Sequence, residues 1–271
     1  MLRRLPALVV ALGLIAPHQA LAWGRVGHHV ASRITDARLT PAARAAVVSL
    51  LEPGETILVA STWADEHRRQ FPESAPWHYV NVPITEPKYD PKFAAPGGCV
   101  VMKIDELKAY LADTSKPRAD RQRALRYLIH FLQDMHQPVH VGDRRDRGGN
   151  DLQLRFFDDG QNPRAGTNLH RLWDSDLIER HSTDEDVWTK EIEVLSTPEN
   201  VALWAKGTTE DWANESLAAA KLAYKPPGAT EELKAGQKLD QPYLDFALPI
   251  ARERLAKAGT RTATVLNDLF K

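Results

Sequence analysis

The segment Leu125-Arg126-Tyr127-Leu128-Ile129-His130-Phe131-Leu132-Gln133-Asp134-Met135-His136-Gln137-Pro138-Val139-His140 carries two patterns at once. Leu125, Leu128, Ile129 and Leu132 recur at spacings of three and four, the period of a helix that buries one face. Pro138 has no N–H to donate and stops such a helix, so the spacing predicts one over residues 118–137. Inside it His130 and Asp134 stand four apart, which puts both side chains on one face, where they can meet one cation. His140 follows just after the break.

Working outward, the same helical period dominates the chain, and the fold class it predicts is all-α, a mainly helical single domain. Thr40 as N-cap and Pro41 at the first helical position open a helix through about residue 51. Further helices are expected over 57–69, 100–111, 169–180, 183–195, 208–224, 242–257 and 263–270, about nine or ten in all. Two stretches resist this reading. Residues 77–83 look extended, and residues 151–157 alternate Leu152, Leu154 and Phe156 against Gln153 and Arg155, the pattern of a short β-hairpin arm leading into Asp158-Asp159-Gly160. No linker, repeat or low-complexity tract divides the chain.

The first 22 residues stand apart. Arg3 and Arg4 precede an apolar run from Leu5 to Ala16, and Ala20-Leu21-Ala22 has the small-x-small form of a signal-peptidase site. The run is too short to span a bilayer, which needs about 20 apolar residues, and no Cys follows it to carry a lipid anchor. The expected organisation is a signal peptide over 1–22 and one domain over 23–271, exported to the periplasm or the medium, with Trp23 as its amino terminus. The full chain has 35 Lys+Arg against 36 Asp+Glu, which excludes a broadly basic nucleic-acid coat. Its single Cys, Cys99, excludes an intramolecular disulfide framework and Cys-rich zinc fingers, whereas ten His is a high count.

A second pair at helical spacing, His170 and Asp174, lies in Asn168-Leu169-His170-Arg171-Leu172-Trp173-Asp174. Either pair alone also fits an ordinary hydrogen bond or surface ion pair. Two of them in an exported chain, one inside an apolar helix, favour a metal, and nitrogen plus carboxylate ligands without thiolate suit zinc. More than four candidate ligands imply more than one ion.

Taken in order, Trp23-Gly24-x-x-Gly27-His28, Trp63-Ala64-Asp65, Trp77-His78-Tyr79, His130-Phe131-x-x-Asp134-x-His136-Gln137-Pro138-x-His140, Gly148-Gly149-Asn150 and Asn168-Leu169-His170-x-x-Trp173-Asp174 resemble the class I zinc-dependent single-strand nucleases of fungi and plants, whose mainly helical fold is shared with bacterial zinc phospholipase C. The resemblance implies three zinc ions at the bottom of a cleft. Asp65, His78, His130 and Asp134 would hold one. Asp134 would bridge to a second, held also by His28 and by the free amine and carbonyl of Trp23; His140, His170 and Asp174 would hold the third. A bridging water would attack phosphorus, giving 5′-phosphorylated products, with Asp65 and Asp134 in the catalytic centre and Arg68 contacting the phosphate.

The same resemblance assigns Tyr79 to stacking on a base, Asn81 to reading its edge and Asn150 to substrate contact. Core packing is the competing role for Tyr79 and a left-handed turn for Asn150, and the family commonly has an acid where this chain has Asn81. Arg144, Arg145 and Arg147 could draw in a phosphate backbone, though Asp143 and Asp146 partly cancel them. His29, His67, His136 and His181 receive no metal role. The expected activity is an endonuclease on single-stranded DNA and RNA with 3′-nucleotidase activity, acting as a monomer without stable membrane association. The alternatives are a zinc phospholipase C-type phosphodiesterase and a non-catalytic zinc-binding protein.

Overall fold

Side-chain caps set several helix starts where the sequence marks them. In a computed structural model that describes residues 23–158 and 166–271, the Thr40 hydroxyl accepts from the Ala43 N–H, and Thr56, Asn168, Thr197 and Thr208 cap their helices in the same way. The expected signal peptide and the turn residues Asp159 and Gly160 lie outside the described residues. The α-helices are α1 (Arg25–Arg38), α2 (Pro41–Leu50), α3 (Ile57–Glu66), α4 (Val100–Ala112), α5 (Arg118–Asp134), α6 (Leu169–Arg171), α7 (Leu177–His181), α8 (Glu185–Leu195), α9 (Pro198–Trp204), α10 (Thr209–Tyr224) and α11 (Gln241–Leu269). The all-α reading holds. Among the described residues the strands are short: β1 (Val82–Pro83), β2 (Gly142–Asp143), β3 (Gln153–Phe156), β4 (Gly166–Asn168) and β5 (Lys238–Leu239).

The departures from expectation have local causes. The sequence reading has no helix before Pro41, because Gly24 offers no side-chain cap and the first turn of α1 no acid. Residues 242–257 and 263–270 belong to one helix, α11. Residues 77–83 are extended only in part, since a 3₁₀ turn (Pro72–His78) runs through the histidine before the chain straightens. The helix expected over 118–137 ends at Asp134, and Pro138–His140 forms a separate 3₁₀ turn. Leu172–Asp176 is a π-helical turn between α6 and α7.

Helix α5 lies inside the fold, and every side chain from Tyr127 to Asp134 on it is buried. Its apolar residues pack with α2, α3 and α4 into one hydrophobic cluster; a second gathers Trp23, Val30 and Ile34 of the α1 region with Trp173, Trp188 and Leu255. Between them the rings of His28 on α1 and His130 on α5 stack 4.4 Å apart. Strand β1 pairs in parallel with β2, Val82 opposite Gly142, which ties the chain after His78 to the chain after His140. The expected hairpin forms from β3 and β4, Gln153 opposite Asn168, and β5 adds in parallel to its other edge.

Helix α11 crosses α1 at Gly259, which explains why this glycine does not end the helix. A Cβ there would stand 2.6 Å from both the Ala31 carbonyl oxygen and Ile34 Cβ. The substitution Gly259→Val should therefore cost about 1–3 kcal/mol through overpacking, read as a lower urea midpoint at unchanged slope; a wild-type midpoint would show that the two helices separate freely.

Candidate metal centre

Asp134 sits at the end of α5, fully buried, and its two carboxylate oxygens face different partners. Oδ2 lies 3.0 Å from His78 Nδ1 and 3.1 Å from His130 Nε2, while Oδ1 lies 3.4 Å from His28 Nε2. Asp65, from the last turn of α3, adds Oδ1 at 3.7 Å from both His78 Nδ1 and His130 Nε2. Within the π-helical turn, Asp174 Oδ2 is 3.4 Å from His170 Nε2 and its Oδ1 is 3.7 Å from His140 Nε2. The extra residue in that turn shifts the side-chain phase, as π-bulges do at many sites.

These eight side chains form three groups: His28, His130 and Asp134; Asp65, His78 and His130; and His140, His170 and Asp174, with the ligand atoms of each within 4.8 Å of one another. They are the eight histidines and aspartates that the resemblance names. Backbone carbonyls orient three of the rings. His130 Nδ1 donates to Ser61 O at 2.6 Å, His140 Nδ1 to His78 O at 2.9 Å and His170 Nδ1 to Gly148 O at 2.8 Å. A ring nitrogen facing a carbonyl must carry the proton, so in the neutral ring that binds a cation each Nε2 presents its lone pair to the centre. Gly148 can serve only without a side chain, because at φ +62° its Cβ would stand 2.6 Å from the Val139 carbonyl.

The donor set fits a divalent cation. His28 Nε2, Asp65 Oδ1, Asp134 Oδ1, His140 Nε2 and Asp174 Oδ2, which face these groups, are buried without a hydrogen-bond partner. Each such atom costs about 1–3 kcal/mol, a cost that a shared cation removes. Nitrogen and carboxylate oxygen without sulfur match zinc. In the metal-free protein burial opposes a charged His130, yet Asp134 and Asp65 outweigh it and push the imidazole up to about 9. Burial likewise opposes ionised Asp134, but His130 and its other imidazole partners hold it well below the usual carboxylate range. His78 and His170 are pushed down, chiefly by burial.

The other expected site residues are placed as follows. Trp23 is fully buried, its indole N–H donating to the Gln133 carbonyl at 3.0 Å, and the next amide, Gly24 N–H, donates to Asp174 O at 2.7 Å. Tyr79 is half-buried and Asn81 exposed, both following His78 on the strand side. Arg68 is half-buried and donates to the Ala75 carbonyl at 3.2 Å. Asn150 donates to the Arg147 carbonyl at 2.9 Å, and the left-handed positions of that loop are Arg145, Arg147, Gly148 and Gly149. Arg144 pairs with Glu232 and Arg147 with Asp151, so much of the loop's positive charge is already neutralised.

His136 belongs to a different network. Its Nδ1 donates to Leu132 O at 2.6 Å and its Nε2 accepts from Arg261 at 3.0 Å. Burial, with Arg254 and Arg261 beside it, holds it neutral, well below the ordinary histidine range. Sequence reasoning missed Gln137, whose amide N–H₂ donates to Asp174 while its oxygen accepts from Val139 N–H at 2.6 Å. Its place between His136 and Pro138 was the only available signal.

Comparison with known proteins agrees with this geometry. The family model for S1/P1 nucleases matches residues 23–271. Endonuclease 2 of Arabidopsis thaliana is 30% identical over 275 residues, covering 92% of this chain and 90% of its own. Nuclease P1 of Penicillium citrinum is 28% identical over 272 residues, covering 91% and 97%, and Nuclease S1 of Aspergillus oryzae is 24% identical over 281 residues, covering 90% and 91%. With the family model spanning everything from Trp23 to the last residue, and the His/Asp groups assembled in three dimensions, the chain belongs to the S1/P1 nuclease family.

Proposed function

We propose that the chain is an exported, three-zinc endonuclease that hydrolyses single-stranded DNA and RNA to 5′-phosphorylated products and removes the phosphate of 3′-nucleotides. The observation that carries this reading is the Asp134 carboxylate with one oxygen turned to each of two histidine groups. Zinc, when bound, supplies Lewis acidity that activates water and neutralises charge on the phosphoryl oxygens.

The protein's own part is positional. Asp65, His78 and His130 would hold one ion, Asp134 would serve that ion and a second held with His28 and the Trp23 amine and carbonyl, and His140, His170 and Asp174 would hold the third, whose charge would serve the leaving 3′-oxygen. Arg68, on the turn after Asp65, contacts the phosphate. Tyr79 and Asn81 take the base and its edge, and Asn150 contacts the substrate backbone. The amine role requires cleavage after Ala22, which fits a secreted or periplasmic enzyme acting as a monomer; no described helix is long and apolar enough to cross a membrane.

Parallel assays on single-stranded DNA, RNA, a 3′-nucleotide and phosphatidylcholine test the activity. Hydrolysis of the first three is expected, and turnover of lipid alone would establish the phospholipase alternative instead. Replacing Asp134 with Asn should lower nuclease activity by more than the roughly 10–100-fold typical of losing an outer-shell partner. Tyr79→Ala should raise KM for oligonucleotides by about 5- to 150-fold, corresponding to about 1–3 kcal/mol of stacking, with kcat little changed.

Metal removal should lower the melting temperature sharply, since one buried cysteine leaves no disulfide to compensate. In the metal-free protein the His130 imidazole, near 9 when folded against 6.5 unfolded, contributes stability fully present below pH 6.5 and lost as pH rises toward 9. The zinc-loaded protein should weaken more steeply below pH 6.5, where protons also displace the metal. Melting temperatures of both forms from pH 5 to 9 check this; parallel curves would refute it.

A further inference from the structure

One of the five ligand rings is oriented by a neutral side-chain amide. His130, His140 and His170 donate Nδ1–H to backbone carbonyls, and His78 turns its Nδ1 to Asp134. His28 is held by a side chain: its Nδ1 lies 2.7 Å from Gln133 Oε1. The other end of the Gln133 amide is bonded too, its Nε2 donating to the Ser32 hydroxyl at 3.0 Å, one helical turn beyond His28 on α1. Gln133 and Ser32 are both fully buried, so no water competes for these bonds.

We infer that Gln133 is a positioning residue that sets the Nδ1–H tautomer of His28 and thereby makes occupancy of the ion shared by His28 and Asp134 depend on one replaceable amide. An amide oxygen accepts only, so it selects the protonated Nδ1 and leaves Nε2 with its lone pair 3.4 Å from Asp134 Oδ1. Both of those inward atoms are among the buried atoms without a hydrogen-bond partner. The same residue also acts through its backbone, whose carbonyl accepts the Trp23 indole N–H at 3.0 Å. Residue 133 therefore anchors Trp23 and His28 together, the two groups assigned to that ion, while its neighbour Asp134 supplies the bridge. The inference rests on the zinc reading above for the identity of the ion, but the tautomer claim stands on the hydrogen bonds alone.

Two measurements test it on the mature protein. Equilibrium dialysis against buffered free zinc should give three ions per chain for wild type. In Gln133→Leu two should remain tight and the third weaken by about 10–100-fold, the usual effect of losing an outer-shell partner. Gln133→Glu keeps an acceptor opposite Nδ1–H and should restore the third site, whereas a merely structural role would be harmed by a buried charge. Nitrogen-15 NMR of the metal-free protein should show His28 protonated at Nδ1 in wild type and a tautomer mixture in Gln133→Leu and, to a smaller degree, in Ser32→Ala. Three ions bound with unchanged affinity by Gln133→Leu, or a wild-type His28 protonated at Nε2, would overturn the inference. If wild type binds no zinc, the metal reading fails and the NMR result alone decides the role of Gln133.

Discussion

A buried carboxylate shared between two sets of imidazoles is the constraint on which the molecule turns. An ionised Asp134 with no access to solvent is tolerable only where cationic or hydrogen-bonding partners compensate it, because taking a carboxylate out of water without compensation costs far more than a fold can spare. The three imidazoles that surround it come from α1, the 3₁₀ turn ending at His78 and α5 itself. Satisfying one charge thus fixes three separate parts of the chain relative to each other. The apolar clusters on either side pack these elements, but the carboxylate decides their register at the seam.

The end of α5 is braced from behind by a second set of buried charges. Arg254 and Arg261 of α11 reach the His136 carbonyl at 3.1 Å and the His136 ring at 3.0 Å, and both pair with Glu215 of α10. Burial opposes ionisation of Glu215, yet its cationic partners, led by Arg261, hold it down at about 2. Two arginines in the interior would be destabilising alone; with the glutamate and a neutral histidine they clamp the short stretch between Asp134 and His140. The motif therefore has a ligand-bearing side and a structural side, and adjacent histidines serve different ends.

The fold class and the pairing of His130 with Asp134 were legible because both depend on local spacing. The grouping of His28 with Asp134, or of His140 with His170, was not, since it depends on chain crossings that leave no periodic trace; there the resemblance supplied what the spacing could not. Helix α1 escaped notice because a glycine precedes it where a capping side chain would announce it. The helices expected over 242–257 and 263–270 are one, and Gly259 in the gap between them is where α11 crosses α1. The carbonyls of Ser61, His78 and Gly148 had no sequence signal at all, because every residue has one and only the backbone path decides which faces a ring.

The burial of Trp23 imposes an order of events. Its side chain has no exposure, its indole is committed to Gln133 and the following amide to Asp174. A peptidase that cuts after Ala22 must hold the chain on both sides of the bond in extended form, which the closed fold denies it at Trp23. Under the proposed cleavage after Ala22, cutting would have to precede closure, so the burial of one indole would set the order of the two events.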